Sequence, residues 1–116
     1  MSVWGRMTAF AGAVAGVLAF SAGVALAADV PIAAAANFTD AANEIGRAFQ
    51  AKTGHRAVFS FGATGALYAQ ITQGAPYQVF LSADQPTAKR AVDEGNAVSG
   101  TQFTYAVGRI VLYSKS

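Results

Sequence analysis

Two short turns in this sequence combine small residues with one side chain that can donate a hydrogen bond. Residues 34–37 read AAAN after an apolar run, and residues 62–65 read GATG after an aromatic one. Small residues let an anion approach the backbone, and the unpaired N–H groups at the start of a helix attract it. Because neither turn carries a charge, we interpret Asn37 and Thr64 as neutral donors to an oxyanion.

Each donor also has a purely structural explanation. Asn37 belongs to a residue type that commonly caps the start of a helix, and Thr64 could equally cap a helix that begins near Gly65. Small residues can also serve only to permit close packing. Since the two donors occupy equivalent positions in successive strand-to-helix units, both explanations stay open.

The surrounding chain alternates between strand-like and helix-like segments. Apolar and aromatic runs predict strands over residues 30–35, 56–61, 77–83 and 104–114. Helical spacing from Phe38, a second segment over 65–74 and a third from Pro86 predict helices that end at Gly54, Gly74 and Gly95. This order predicts an α/β fold with a mainly parallel sheet flanked by helices.

The first 27 residues are typical of an export signal. Arg6 is their only basic residue, residues 7–24 are uncharged, and residues 25–27 form an A-x-A cleavage site. We therefore predict a signal peptide over residues 1–27 and a periplasmic location for the mature chain. A transmembrane anchor is the alternative, but no basic stop-transfer cluster follows the apolar segment.

Charge and cysteine content exclude several classes of protein. Without Arg6, seven basic residues stand against six acidic ones, which gives a formal charge of +1. Since these basic residues are also scattered, we expect no nucleic-acid partner. The absence of cysteine excludes disulfides and thiolate metal sites.

Catalytic residues are not apparent in the sequence, and we predict that the protein is not an enzyme. The lone His55 follows a helix-ending glycine, and Asp84 could cap the third helix as readily as act as a base. No lysine follows residues 62–65, as a phosphate-binding loop would require. The alternative is a small secreted hydrolase of phosphate or acyl esters, in which His55 and Asp84 would converge near Thr64.

Three motifs in order resemble the molybdate-binding proteins, the periplasmic substrate-binding components of ABC transporters for molybdate and related oxyanions. The motifs are AAAANFTDAANEI, FSFGATGALYAQITQGAPYQVFLSAD and TYAVGRIVLYS, and the resemblance covers residues 30–116. It implies a hinged, two-lobed binding protein of the type II-like class that encloses a tetrahedral dianion with neutral donors. It also implies a monomer that needs no cofactor and docks on an inner-membrane permease.

The resemblance further implies that Asn37, where many members carry serine, and Thr64 contact the oxygens of molybdate or tungstate. These contacts are to the oxyanion, not to a bare metal ion. The sequence does not separate molybdate from tungstate or sulfate.

Members of this family are much longer than the present chain. We therefore expect residues 28–105 to form a first α/β lobe and residues 106–116 to be a crossover strand toward a second lobe, in a truncated member of the family. A non-functional truncated product is the alternative.

A single lobe would supply fewer donors and no closure around the anion. We expect the chain of 116 residues to bind molybdate weakly or not at all. Calorimetric titration should therefore detect no submicromolar dissociation constant, and the observation of one would contradict the expectation.

Overall fold

The structure, a computed structural model, describes residues 26–115. Apart from Leu26 and Ala27, the predicted signal peptide lies outside the described residues. Within the described range, no helix is long and apolar enough to cross a membrane.

Strands and helices alternate strictly along the chain up to residue 93. The order is β1 (Asp29–Ala35), α1 (Thr39–Thr53), β2 (Arg56–Gly62), α2 (Thr64–Thr72), β3 (Val79–Leu81) and α3 (Gln85–Asp93). A short 3-10 turn over Ala36–Phe38 leads into α1. These bounds confirm the three predicted helices and the first three predicted strands, although β3 is shorter than expected.

The three strands form one parallel sheet in the order β2-β1-β3. Central β1 pairs along its whole length with β2, and its residues Ile32 to Ala34 pair with β3. Ala33 and Ala34 have no exposed surface. Their small side chains suit a strand that is covered on both faces, and the predicted parallel sheet flanked by helices is confirmed.

Helices cover the two faces of this sheet. On one face, Gly46 of α1 lies directly over the ring of Phe59 in β2, which stacks on Phe61 with 5.4 Å between ring centroids. On the opposite face, Tyr68 of α2 stacks on Phe80 of β3 at 6.3 Å. The core is therefore a thin three-layer arrangement with β1 at its centre.

A polar cluster connects α2 to the end of α3. The Tyr68 hydroxyl donates to the Glu94 carboxylate, Asn96 Nδ2 donates to the Tyr68 oxygen at 3.2 Å, and Arg90 Nε donates to Glu94 Oε1 at 2.7 Å. The Arg90 guanidinium also lies 5.0 Å from the centroid of the Tyr68 ring. The hydrogen bond from Tyr68 lowers the pKa of Glu94 and raises the pKa of the phenol.

The predicted fourth strand is wrong for this structure. Residues 101–115 form neither a helix nor a strand, and Ile110 and Leu112 are fully exposed. A β-rich sequence becomes a strand only when a neighbouring strand pairs with its backbone, and the described part of the sheet provides no partner for this segment. The predicted boundary between residues 105 and 106 stays a prediction.

Strand β3 also ends earlier than predicted, before Ser82. The Ser82 hydroxyl donates to the carbonyl oxygen of Asp84 at 2.7 Å and accepts from its N–H at 3.2 Å. These local bonds turn the chain away from the sheet, because serine competes with the strand ladder for nearby backbone groups.

The close approach of α1 to β2 generates a stability prediction. A Cβ atom at Gly46 would lie 2.8 Å from Cε2 of Phe59, so Gly46→Val should destabilise the fold by about 1–3 kcal/mol through overpacking. Urea unfolding of the purified chain measures the change. Ala48→Val, at an exposed position of the same helix, should cost only about 0.5 kcal/mol in helix propensity. Equal losses of unfolding free energy in the two variants would contradict the explanation by overpacking.

Candidate functional site

The three strand-to-helix turns lie at the same edge of the sheet. Ala35 of β1 is aligned with Gly62 of β2, so Asn37 and Thr64 each lie two residues beyond aligned strand ends. Ala34 is aligned with Leu81, and the third turn therefore begins at this edge as well. Parallel strands bring their carboxyl ends together, and ligands of open α/β sheets bind there.

Thr64 contacts the third turn directly. Its Oγ1 accepts a hydrogen bond from the N–H of Ala83 at 3.0 Å, and the residue is half-buried. Thr64 is the first residue of α2, whose N-cap is Ala63 with no side-chain cap bond. The capping explanation for Thr64 is therefore wrong. Because a hydroxyl that accepts one bond keeps its proton, Thr64 can still donate to a ligand.

Asn37 lies in the 3-10 turn at the end of β1 and is exposed. It caps neither helical segment, because Ala35 and Phe38 occupy the two N-cap positions without side-chain bonds. The capping explanation for Asn37 is wrong too. Its side chain makes no hydrogen bond to any residue in the range 26–115, so its amide is available as a donor.

Backbone donors stand beside Thr64 at the start of α2. The first bond within this helix runs from the N–H of Leu67 to the carbonyl of Ala63 at 3.0 Å, which leaves the preceding N–H groups without helical acceptors. A Cβ atom at Gly65 would meet no other atom within 4 Å. The start of α2 is therefore uncovered on the side of Gly65, and its N–H groups are candidate donors to a small anion.

The groups that could donate hydrogen bonds to an anion at this edge are uncharged. Neither Asn37 nor Thr64 carries a charge, and the first turn of α2 holds no acidic residue. Among residues 26–115 no group of three histidine, aspartate or glutamate side chains could hold a metal ion. Asn37, Thr64 and the start of α2 can thus contact an anion through dipoles alone, and the Asp84 carboxylate at this edge is engaged with the first turn of α3.

Asp84 and His55 do not form a catalytic pair. The Asp84 carboxylate accepts from the N–H of Thr87 at 2.7 Å and caps α3, which confirms its structural explanation. His55 precedes the seven-residue strand β2, whereas Thr64 follows it, so about 20 Å of strand separates them. The hydrolase hypothesis required these groups to converge, and it is wrong on this point.

Sequence reasoning missed Ala83 as a component of this site. Its contribution is a backbone N–H, and no side-chain pattern could have indicated the contact with Thr64. Only the packing of α2 on the sheet, where Tyr68 stacks on Phe80 of β3, brings the second and third turns together.

Comparison with known families gives a match over most of the chain. Residues 30–116 match the family described as bacterial extracellular solute-binding protein. This result confirms the family resemblance carried by the three sequence motifs.

Individual relatives carry more specific names. The chain is 56% identical over 100 residues to the molybdate-binding protein ModA of Rhodobacter capsulatus, an alignment that covers 84% of this chain and 40% of the relative. It is 48% identical over 102 residues to ModA of Azotobacter vinelandii, with the same two coverages. The chain thus spans about 40% of the length of these curated relatives.

Two solved structures that match this chain also carry molybdate or molybdenum in their names. The periplasmic molybdate-binding protein of Azotobacter vinelandii matches with a TM-score of 0.64 and 39% identity, over 66% of this chain and 33% of that one. A substrate-binding domain of a molybdenum ABC transporter from Clostridium difficile matches with a TM-score of 0.57 and 31% identity, over 60% and 31% of the two chains.

The capping role of Asp84 can be tested through stability. Asp84→Ala should destabilise the protein by about 1 kcal/mol, because the first turn of α3 loses its side-chain acceptor. Asp93→Ala is the matched control, since it removes only an exposed ion pair with Lys89 at 2.5 Å and should change stability by less than about 0.5 kcal/mol. Urea unfolding that ranks the variants in the opposite order would contradict the capping role.

Proposed function

The chain belongs to the family of bacterial extracellular solute-binding proteins, and from this premise we propose that it binds molybdate for an ABC importer. Tungstate is an equivalent ligand under this proposal, because it has the same charge and tetrahedral shape. Asn37 and Thr64 donate hydrogen bonds to the oxyanion, together with N–H groups at the start of α2. The names of the relatives support this choice of ligand.

One observation carries the assignment of the site. The bond from Ala83 to Thr64 Oγ1 occupies an acceptor position of the hydroxyl and leaves its proton free, at the N-terminal end of α2. Asn37 lies at the equivalent position of the neighbouring strand with a side-chain amide that makes no hydrogen bond within the described range. These groups are donors, as an oxyanion requires.

The neutrality of these donors suits a transport protein. Lysine or arginine at this edge would add a full charge that binds any anion, whereas fixed hydroxyl, amide and N–H groups recognise the positions of oxygen atoms. A site of this kind can hold a dianion and release it again without a change in protonation.

The remaining assignments follow from the same proposal. We place the mature protein in the periplasm as a monomer, exported by a signal peptide over residues 1–27, with a permease of the inner membrane as its partner. Since the matched relatives are longer, we expect further donors from a second lobe in a complete binding site. We propose no enzymatic activity and no cofactor.

Substitution of the two side-chain donors tests the site. Asn37→Ala and Thr64→Val should each weaken molybdate binding about threefold to tenfold, because each removes one hydrogen bond to the anion. Titration of the ¹⁵N-labelled chain with sodium molybdate, followed by NMR, measures affinities in the millimolar range as well as tighter ones.

Two control substitutions remove an asparagine amide and a threonine hydroxyl at positions outside the proposed site. Asn43→Ala removes the amide of an exposed residue of α1. Thr72→Val removes a hydroxyl that donates to the Ala69 carbonyl at 2.8 Å in the last turn of α2. Both should bind molybdate like the unmodified chain. If Asn37→Ala and Thr64→Val also keep full affinity, the site is wrongly assigned.

A further inference from the structure

Tyr105 connects the first and third turns of the candidate site. Its hydroxyl donates to the carbonyl oxygen of Ser82 at 3.1 Å. Its ring packs against Phe38, with 5.0 Å between the centroids and an interplanar angle of 53°. Phe38 follows Asn37 directly in the chain, and Ser82 follows β3. Tyr105 therefore contacts two of the three turns without belonging to either.

A single peptide group links the hydrogen bond from Tyr105 to the hydrogen bond with Thr64. The carbonyl of Ser82 and the N–H of Ala83 belong to the same planar unit, so their orientations are fixed relative to each other. Tyr105 donates to the carbonyl end, and the N–H end donates to Thr64 Oγ1 at 3.0 Å. The orientation of this one peptide group is therefore held from both sides.

Tyr105, the Ser82–Ala83 peptide group and Thr64 form a chain of hydrogen bonds in which each group donates to the next. Donation runs from the Tyr105 hydroxyl to the Ser82–Ala83 peptide group and from there to Thr64. Bonds in such chains polarise one another, by about 10–30% per bond. The proton of Thr64 lies at the end of the chain and so becomes a stronger donor toward an anion.

Tyr105 is in the form that donates. A phenol is protonated at neutral pH, and partial desolvation of this side chain, which is 39% exposed, raises its pKa further. The Ser82 side chain is buried and fixes the same turn through its two bonds to Asp84. The acceptor of the Tyr105 bond is thus held in place.

We propose that Tyr105 is a positioning residue of the oxyanion site, which orients the Ser82–Ala83 peptide group and thereby strengthens Thr64 as a donor. This role rests on the proposed function. Its ring supports the Asn37 turn through Phe38, but the hydroxyl acts on Thr64 alone. The two contributions can be separated because Tyr105→Phe removes the hydroxyl and keeps the ring.

The test uses Tyr105→Phe with Tyr77→Phe as the matched control. Tyr77 precedes β3, at the end opposite to Ser82, and its hydroxyl donates to Gln70 Oε1 at 2.8 Å. Both variants lose one phenolic hydrogen bond. We expect Tyr105→Phe to weaken binding of sodium molybdate about threefold, whereas Tyr77→Phe should bind like the unmodified chain. A thermal unfolding transition like that of the unmodified chain would show that both variants fold.

A double-mutant cycle separates positioning from a general structural effect. If Tyr105 acts through Thr64, adding Tyr105→Phe to Thr64→Val should cause no further loss of affinity. The amide proton of Ala83 should also shift in the ligand-free Tyr105→Phe variant, since its peptide group loses the bond at the carbonyl. Additive losses, or an unchanged Ala83 resonance, would overturn the role of Tyr105 and leave the proposed function intact. Of the two outcomes expected from the sequence, weak binding and no binding, the proposed function requires weak binding. Failure of the unmodified chain to bind sodium molybdate at all would therefore overturn the proposed function and this role with it.

Discussion

The parallel pairing of β1 with both of its neighbours is the constraint on which the rest of the structure depends. It fixes the end of β1 against the ends of β2 and β3 and therefore brings three separate turns to one edge. The alanines at the end of β1 let helices pack closely on both faces of this central strand. A shift of one residue in this register would reverse the faces of a strand and end the alignment of the Asn37 and Thr64 turns.

The groups proposed to bind the anion at this edge are dipoles with no net charge. Thr64, Asn37 and the first N–H groups of α2 can each donate a hydrogen bond, whereas the Asp84 carboxylate at the same edge accepts one and caps the neighbouring helix. The same scaffold that buries the core thus also orients the donors. Since the peptide group of Ser82 and Ala83 is bonded at both ends, part of the site is built from backbone that carries no recognisable motif.

Residue types at the helix ends predicted the helix boundaries well, because interactions between neighbouring residues determine those boundaries. Gly54 ends α1 with a φ of 76°, Pro86 lies in the first turn of α3, and Asp84 is its N-cap, as their residue types indicate. The segment over residues 104–114 was predicted wrongly because strand formation needs a partner, and β-branched composition alone does not supply one. The capping explanations for Asn37 and Thr64 failed because each helical segment begins one position away from where capping would require.

The sequence by itself determined the alternation of strands and helices, the two donor-bearing turns and the family to which the chain belongs. These features depend on periodicity, turn chemistry and ordered motifs, which are properties of neighbouring residues. Only the tertiary structure decided that His55 lies far from Thr64, that Ala83 donates to Thr64 and that Tyr105 holds the same peptide group. The two contacts join residues 19 and 23 positions apart in the chain, and their formation depends on how the helices pack on the sheet rather than on any local preference.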